Sequence, residues 1–165
     1  MTTITVQLRG RWPAYGLAVL FLGYAVGKAA LAARARLGFP GGPPVSAAET
    51  GEYFLDPAVA QWFAAGSGVL AAGIVLATVL PTGHRPPPLL LAPALGILAA
   101  ATCWGGGVMV LDPVLGLGVG WPWPFAVPGA AALVLVGVTI RTYARELSAA
   151  RLDRSVATRP PGSDE

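Results

Sequence analysis

Apolar residues run along this chain in long unbroken blocks, not in the alternation of a half-exposed strand or the 3.6-residue rhythm of a helix with a polar face. A helix that crosses a bilayer needs about 20 mostly apolar residues, because the hydrocarbon core is about 30 Å thick and each residue rises about 1.5 Å. Two blocks meet this directly. Pro57 to Leu80 is 24 residues without a charge, with Gln61, Ser67 and Thr78 as its strongly polar members, and Pro88 to Leu111 is 24 uncharged residues. A first span is expected over 12–33, flanked by Arg9 and Arg11, with Lys28 near its far end. A fourth is expected over 121–141. Pro122, Pro124 and Pro128 make its start irregular, since only the first helical turn accepts proline without loss, and a regular helix is expected from about Val127 onward. The pattern therefore predicts an all-α integral membrane bundle of four transmembrane helices over residues 1–154, followed by a disordered cytoplasmic tail, 155–165, with little to bury.

Composition sharpens this picture. Of 165 residues 55% are hydrophobic and 12% charged, about half the charge of an ordinary soluble domain. The basic residues are ten arginines and one lysine, a bias that with abundant Ala, Gly and Pro fits a GC-rich bacterial genome. Their positions assign topology. Arg9, Arg11, Arg85, Arg141, Arg145, Arg151, Arg154 and Arg159 fall on one side of the predicted spans, and Lys28, Arg34 and Arg36 on the other, so the positive-inside bias places both termini in the cytoplasm. A rival reading takes residues 1–32 as a secretory signal cut after Ala30, Leu31 and Ala32. The apolar stretch is long for a signal, and Lys28 before the cut is unusual. The net charge of +3 does not imply nucleic acid, because the arginines flank apolar spans and no recognition motif accompanies them. Arg141, Arg145, Arg151 and Arg154 are expected to meet anionic lipid headgroups.

Chemistry-bearing residues are few. Single Cys103 excludes an internal disulfide and a paired-thiol redox site, and it reads as a small core residue. His84, without a second histidine, anchors the short turn 81–88. No cofactor or metal motif is present. In the first long loop, Ser46 and Glu49 have capping-box spacing, and Glu49, Glu52 and Asp56 follow at i, i+3 and i+7, so a helix through them would align three carboxylates on one face. The alternative is structural: Asp56 caps the second span, with Pro57 in the favoured first position. An ionisable residue inside a span is a candidate functional group, so Lys28 with Glu49, Glu52, Asp56 and Asp112 forms a candidate polar pocket at the far side. The alternative is that Lys28 extends its ammonium to the headgroups.

Two further features stand out. Gly105, Gly106 and Gly107 lie late in the third span, where unwinding is expected, and the segment 104–120 reads either as a re-entrant loop or as a short loop with Trp121 and Trp123 in the interfacial aromatic belt. Small residues recur at four-residue spacing, Gly23 and Gly27, then Ala60, Ala64, Gly68 and Ala72, then Ala92, Gly96 and Ala100, while Gly129 and Gly137 flank one face of the fourth span. Such faces allow close helix approach, within one chain or in a homo-oligomer. These features point to a membrane protein of non-enzymatic, accessory or scaffold type, or to a small transporter or channel component built around the polar pocket.

Overall fold

The computed structural model describes residues 11–157, and among them it is all-helical. In chain order the helices are α1 (Trp12–Ala32), α2 (Ala47–Gly51), α3 (Pro57–Ala77), α4 (Pro88–Leu115) and α5 (Ala126–Ala157), with single 3₁₀ turns at Thr82–His84 and Trp123–Phe125. Four of them, α1, α3, α4 and α5, are long and apolar enough to cross a membrane. The chain is a multi-pass membrane protein. Residues 1–10 and 158–165, which carry Arg9, Arg159 and most of the predicted tail, lie outside the described residues.

Local chemistry explains the helix ends. Pro57 and Pro88 occupy first-turn positions where a missing N–H costs nothing. Asp56 caps α3 by accepting the Ala58 and Val59 N–H groups at 2.9 and 3.1 Å. At the end of α1, Ala35 adopts a left-handed conformation (φ 47°) while the Ala35 and Arg36 N–H groups bond back to Ala32 and Leu31 oxygens at 3.0 and 3.1 Å. This is a Schellman ending with alanine where glycine is usual.

The helix α4 departs from expectation: it stays helical through the three glycines and Pro113 as far as Leu115. Unwinding in lipid would leave backbone groups unpaired at several kcal/mol each, which outweighs the roughly 1 kcal/mol a glycine costs a helix. It ends at Gly116, left-handed at φ 65°, whose N–H bonds to the Asp112 oxygen at 2.8 Å. The segment 116–122 is therefore a short loop. The last helix begins at Ala126, one residue from expectation, and continues through 155–157 of the predicted tail.

The spans form two antiparallel hairpins, α1 on α3 and α4 on α5. Contact between α1 and α5 joins them, while α3 and α4, the other neighbouring pair, touch less. The core lies toward the end that carries residue 11 and the 78–87 turn, with Leu17 and Val75 fully buried among Leu91, Leu95, Val136 and Tyr143. At that end Arg85 pairs with Glu146 of α5 at 2.6 Å and donates from Nε to the Leu80 oxygen, fixing the turn against the last helix. Small residues set the hairpin spacing. A Cβ on Gly68 would lie 2.9–3.0 Å from Tyr24, Ala25 and the Phe21 oxygen, and one on Gly129 would lie 2.9 Å from the Gly106 oxygen. By contrast Ala92, Gly96 and Ala100 face outward, as does Cys103, which is a surface residue and not a core one.

Candidate functional site

The opposite end of the bundle carries the loops 33–56 and 116–125, and there the hairpins separate. Between them lies a cleft of about 910 Å³. Its walls are Leu20 and Tyr24 of α1, Ser67, Leu70 and Ile74 of α3, Ile97, Ala101 and Gly105 of α4, and Pro128 and Ala132 of α5. Its lining is overwhelmingly apolar, with Ser67, Thr102 and the Tyr24 hydroxyl as its polar side-chain groups. The hydroxyls of Ser67 and Thr102 already donate to the Ala64 and Leu98 oxygens of their own helices. Leu70 and Ile97 remain 65% and 73% exposed, so the cleft opens sideways, between α3 and α4, into what would be lipid.

An aromatic cluster borders the cleft at the loop end. Phe39 meets Tyr24 at 5.4 Å, Trp121 edge-on at 5.0 Å and Phe125 edge-on at 6.4 Å, distances within the favourable range for ring pairs. The backbone makes room for it at glycines: a Cβ on Gly41 would fall 2.7 Å from Phe125, and one on Gly27 would overlap Pro40, which therefore seats in the notch of α1. Gly41 also needs its glycine for a positive φ of 70°. Phe39 thus joins the two loops and both hairpins across the mouth.

Above this cluster lies Lys28, one helical turn beyond Tyr24 and on the same face of α1. Its ammonium donates to the Gly38 oxygen at 2.7 Å and stands 5.5 and 5.6 Å from the Tyr24 and Phe39 ring centres, within cation–π range. Gln61, 3% exposed in the first turns of α3, donates its amide to the Gly38 and Arg36 oxygens at 3.0 and 3.1 Å. Two carbonyl acceptors fix which way that amide points, and they leave its Oε1 buried without a partner.

The five residues of the candidate polar pocket are held in distinct ways. Among the described residues Lys28 makes no ion pair with any of the four acids. Glu49 completes a capping box with Ser46: the Ser46 N–H donates to its carboxylate at 2.8 Å, and the Ser46 hydroxyl accepts the Glu49 N–H at 3.2 Å. The Ser46 hydroxyl and then the Ser46 backbone N–H, both beside the carboxylate, lower the Glu49 carboxyl below its ordinary pKa. The helix α2 stops at Gly51, so Glu52 is its C-terminal cap, Asp56 begins α3, and no continuous helix aligns the three carboxylates. Asp112 is 4% exposed within α4 and accepts the Val119 and Trp121 N–H groups at 3.0 and 2.6 Å. It organises the 116–122 loop and so holds Trp121 against Phe39. Gly118 and Gly120, at φ 81° and 85°, let the backbone curl around this carboxylate.

At the other end a cavity of about 10 Å³, room for about one water, is bounded by Arg11, Thr78, Thr142, Tyr143 and Glu146. The buried Thr139 hydroxyl faces this site without a partner. The chain matches no protein-family model, no curated protein and no solved structure.

Sequence reading missed Phe39 and Gln61. Each left a trace: a phenylalanine inside the turn-rich Gly38 to Pro44, and an amide in the first turns of an otherwise apolar span.

Proposed function

We propose that this is a non-enzymatic accessory protein of the cell membrane, with both termini cytoplasmic, that works by holding an apolar partner in the cleft between its hairpins. The observation that carries this reading is the cleft itself, a large apolar volume open sideways to lipid. Lipid gives little hydrophobic drive for helix association, so a gap between hairpins is best filled by something that packs. The acidic side chains with defined bonds serve as caps and loop anchors, which supports a structural and not a catalytic use of them. The orientation rests on the arginine distribution, with Arg141, Arg145, Arg151 and Arg154 meeting anionic headgroups on the cytoplasmic side. The outward face of Ala92, Gly96 and Ala100 is the surface offered to a second copy.

A second reading, a small transporter or channel component, is favoured by one observation: Gln61 Oε1 is buried and unpaired beside Lys28, as in a site that water or a solute completes. Here Lys28, Glu49, Glu52, Asp56 and Asp112 would line the outer mouth.

Cysteine labelling separates the two. On a Cys103→Ala background, Ala48→Cys is expected to react with a membrane-impermeant maleimide in intact cells, His84→Cys only after permeabilisation, and Ala101→Cys in neither condition. Labelling at Ala101→Cys would reveal a water path and favour transport. Protection of Ala48→Cys with reaction at His84→Cys in intact cells would invert the orientation.

A further inference from the structure

We infer that the cleft is the binding site of one anionic phospholipid of the outer leaflet, its two acyl chains between α3 and α4 and its phosphate at Lys28. This rests on the reading of the cleft as a holder of an apolar partner, and it names that partner.

Three observations converge on this occupant. The first is size. The cleft is about 910 Å³ on the same measure by which the cavity at the other end, at about 10 Å³, admits one water, so it has ample room for two acyl chains. The second is access. The gap lies between α3 and α4, which touch less than the other neighbouring spans, and its edges are the exposed Leu70 and Ile97, so a lipid reaches it by moving sideways within the leaflet without crossing a polar barrier. The third is charge. Leu20, Tyr24 and Lys28 form one stripe on α1 at four-residue spacing, the first two lining the cleft and the third standing about 6 Å further toward the headgroups at 1.5 Å per residue.

Lys28 has one of its three N–H bonds committed, to the Gly38 oxygen. The others remain for a phosphate. The nearby carboxylates are occupied: Asp112 by loop amides and Asp56 by the cap of α3. None forms an ion pair with Lys28 among the described residues. The aromatic cluster then stands at the level where chains meet headgroup, with Phe39 lining the cleft and its ring 5.6 Å from the Lys28 ammonium. Arg34 and Arg36, exposed just beyond α1, add to the positive field over the same mouth.

The test uses the full chain in nanodiscs of phosphatidylcholine containing one-fifth phosphatidylglycerol. After stepwise removal of bulk lipid, the retained lipid is counted by native mass spectrometry. One tightly held lipid per chain is expected, with phosphatidylglycerol preferred over phosphatidylcholine by about five-fold, the effect of one basic residue at such a surface. Lys28→Gln keeps a donor for the Gly38 oxygen but loses the charge, so it should still retain a lipid while the preference falls to about one. Gly105→Leu fills the cleft from a position where an added Cβ meets nothing within 4 Å, so the protein should fold normally and retain no lipid. An unchanged preference in Lys28→Gln, or no preference in the parent, overturns the phosphate site while leaving an apolar occupant in place. Retention undiminished in Gly105→Leu, a second copy held through the cleft, or no retained guest in the parent overturns the cleft reading as well.

Discussion

Near the 78–87 turn, Leu17 and Val75 have no exposed surface and are enclosed by side chains from all four spans, whereas Leu70, little more than one turn from Val75 on α3, and Ile97, next to the core residue Leu98 on α4, stand at the edge of an open cleft. Both regions are built from the same Leu, Ile, Ala and Gly. The difference lies in which contacts continue along the bundle. Gly68 keeps α1 against α3 and Gly106 with Gly129 keeps α4 against α5, but no such close approach joins α3 to α4. Each hairpin is thus zipped along its length, and the two are fastened to each other at the turn end and bridged by aromatic rings at the loop end.

The sharpest way to break this comparison is to truncate one residue on each side of it. Leu17→Ala is expected to lower unfolding stability in detergent by about 2–5 kcal/mol, the usual range for opening a cavity in a closed core. Leu70→Ala should change it by less than about 0.5 kcal/mol, as for an exposed substitution. Comparable losses at both would mean that the cleft is closed. A second contrast uses glycines. Gly129→Val forces a side chain into the α4–α5 contact and should cost about 1–3 kcal/mol, while Gly96→Ala, with nothing within 4 Å, should be neutral or stabilising by up to about 1 kcal/mol. The aromatic bridge is tested through its anchor. Asp112→Asn leaves one of the Val119 and Trp121 N–H groups without a good acceptor, costing about 1–3 kcal/mol, and hydrogen exchange should accelerate at those two amides before it does in the α1–α3 hairpin.

The smallest effect is expected farthest from either region. Ser46→Ala removes the hydroxyl that lowers the Glu49 carboxyl but keeps the backbone N–H, so its titration, followed by NMR, should move part of the way up toward the ordinary carboxylate value. Because the folded carboxyl is depressed, the capping box is fully formed above the unfolded pKa and weakens as pH falls through the folded one. Acidification should therefore fray α2 and leave the spans intact.

Four spans were legible because each is a run of about 20 apolar residues, and a bilayer admits few alternatives for such a run. Helix starts at Pro57 and Pro88, the Asp56 cap and the Ser46–Glu49 capping box were legible for the same kind of reason: each is decided within a few residues. The glycine run in α4 was misjudged because propensities measured in water understate the cost of unpaired backbone in lipid. Cys103 was placed inside although it faces out, since a uniformly apolar span carries no periodicity to mark its buried face. The cleft was not legible at all. It depends on which helices fail to touch, and that follows from the Gly106–Gly129 approach and the Phe39 bridge, both between residues far apart in sequence. Lys28 stood out as the ionisable group within a span, but its neighbours, the Gly38 oxygen, Gln61 and two rings, come from the fold of a loop that sequence reading searched for carboxylates.

The claim at the centre of this account is that the cleft holds one defined apolar guest, and a photoreactive diazirine side chain introduced at Ala101 in native membranes tests it most directly. Ala92, on the outward face of the same helix, serves as the reference position. The account expects a single adduct mass from position 101 that saturates with dose, and a heterogeneous set of bulk-lipid adducts from position 92. The same heterogeneous set from both positions, or water addition at 101, would contradict it.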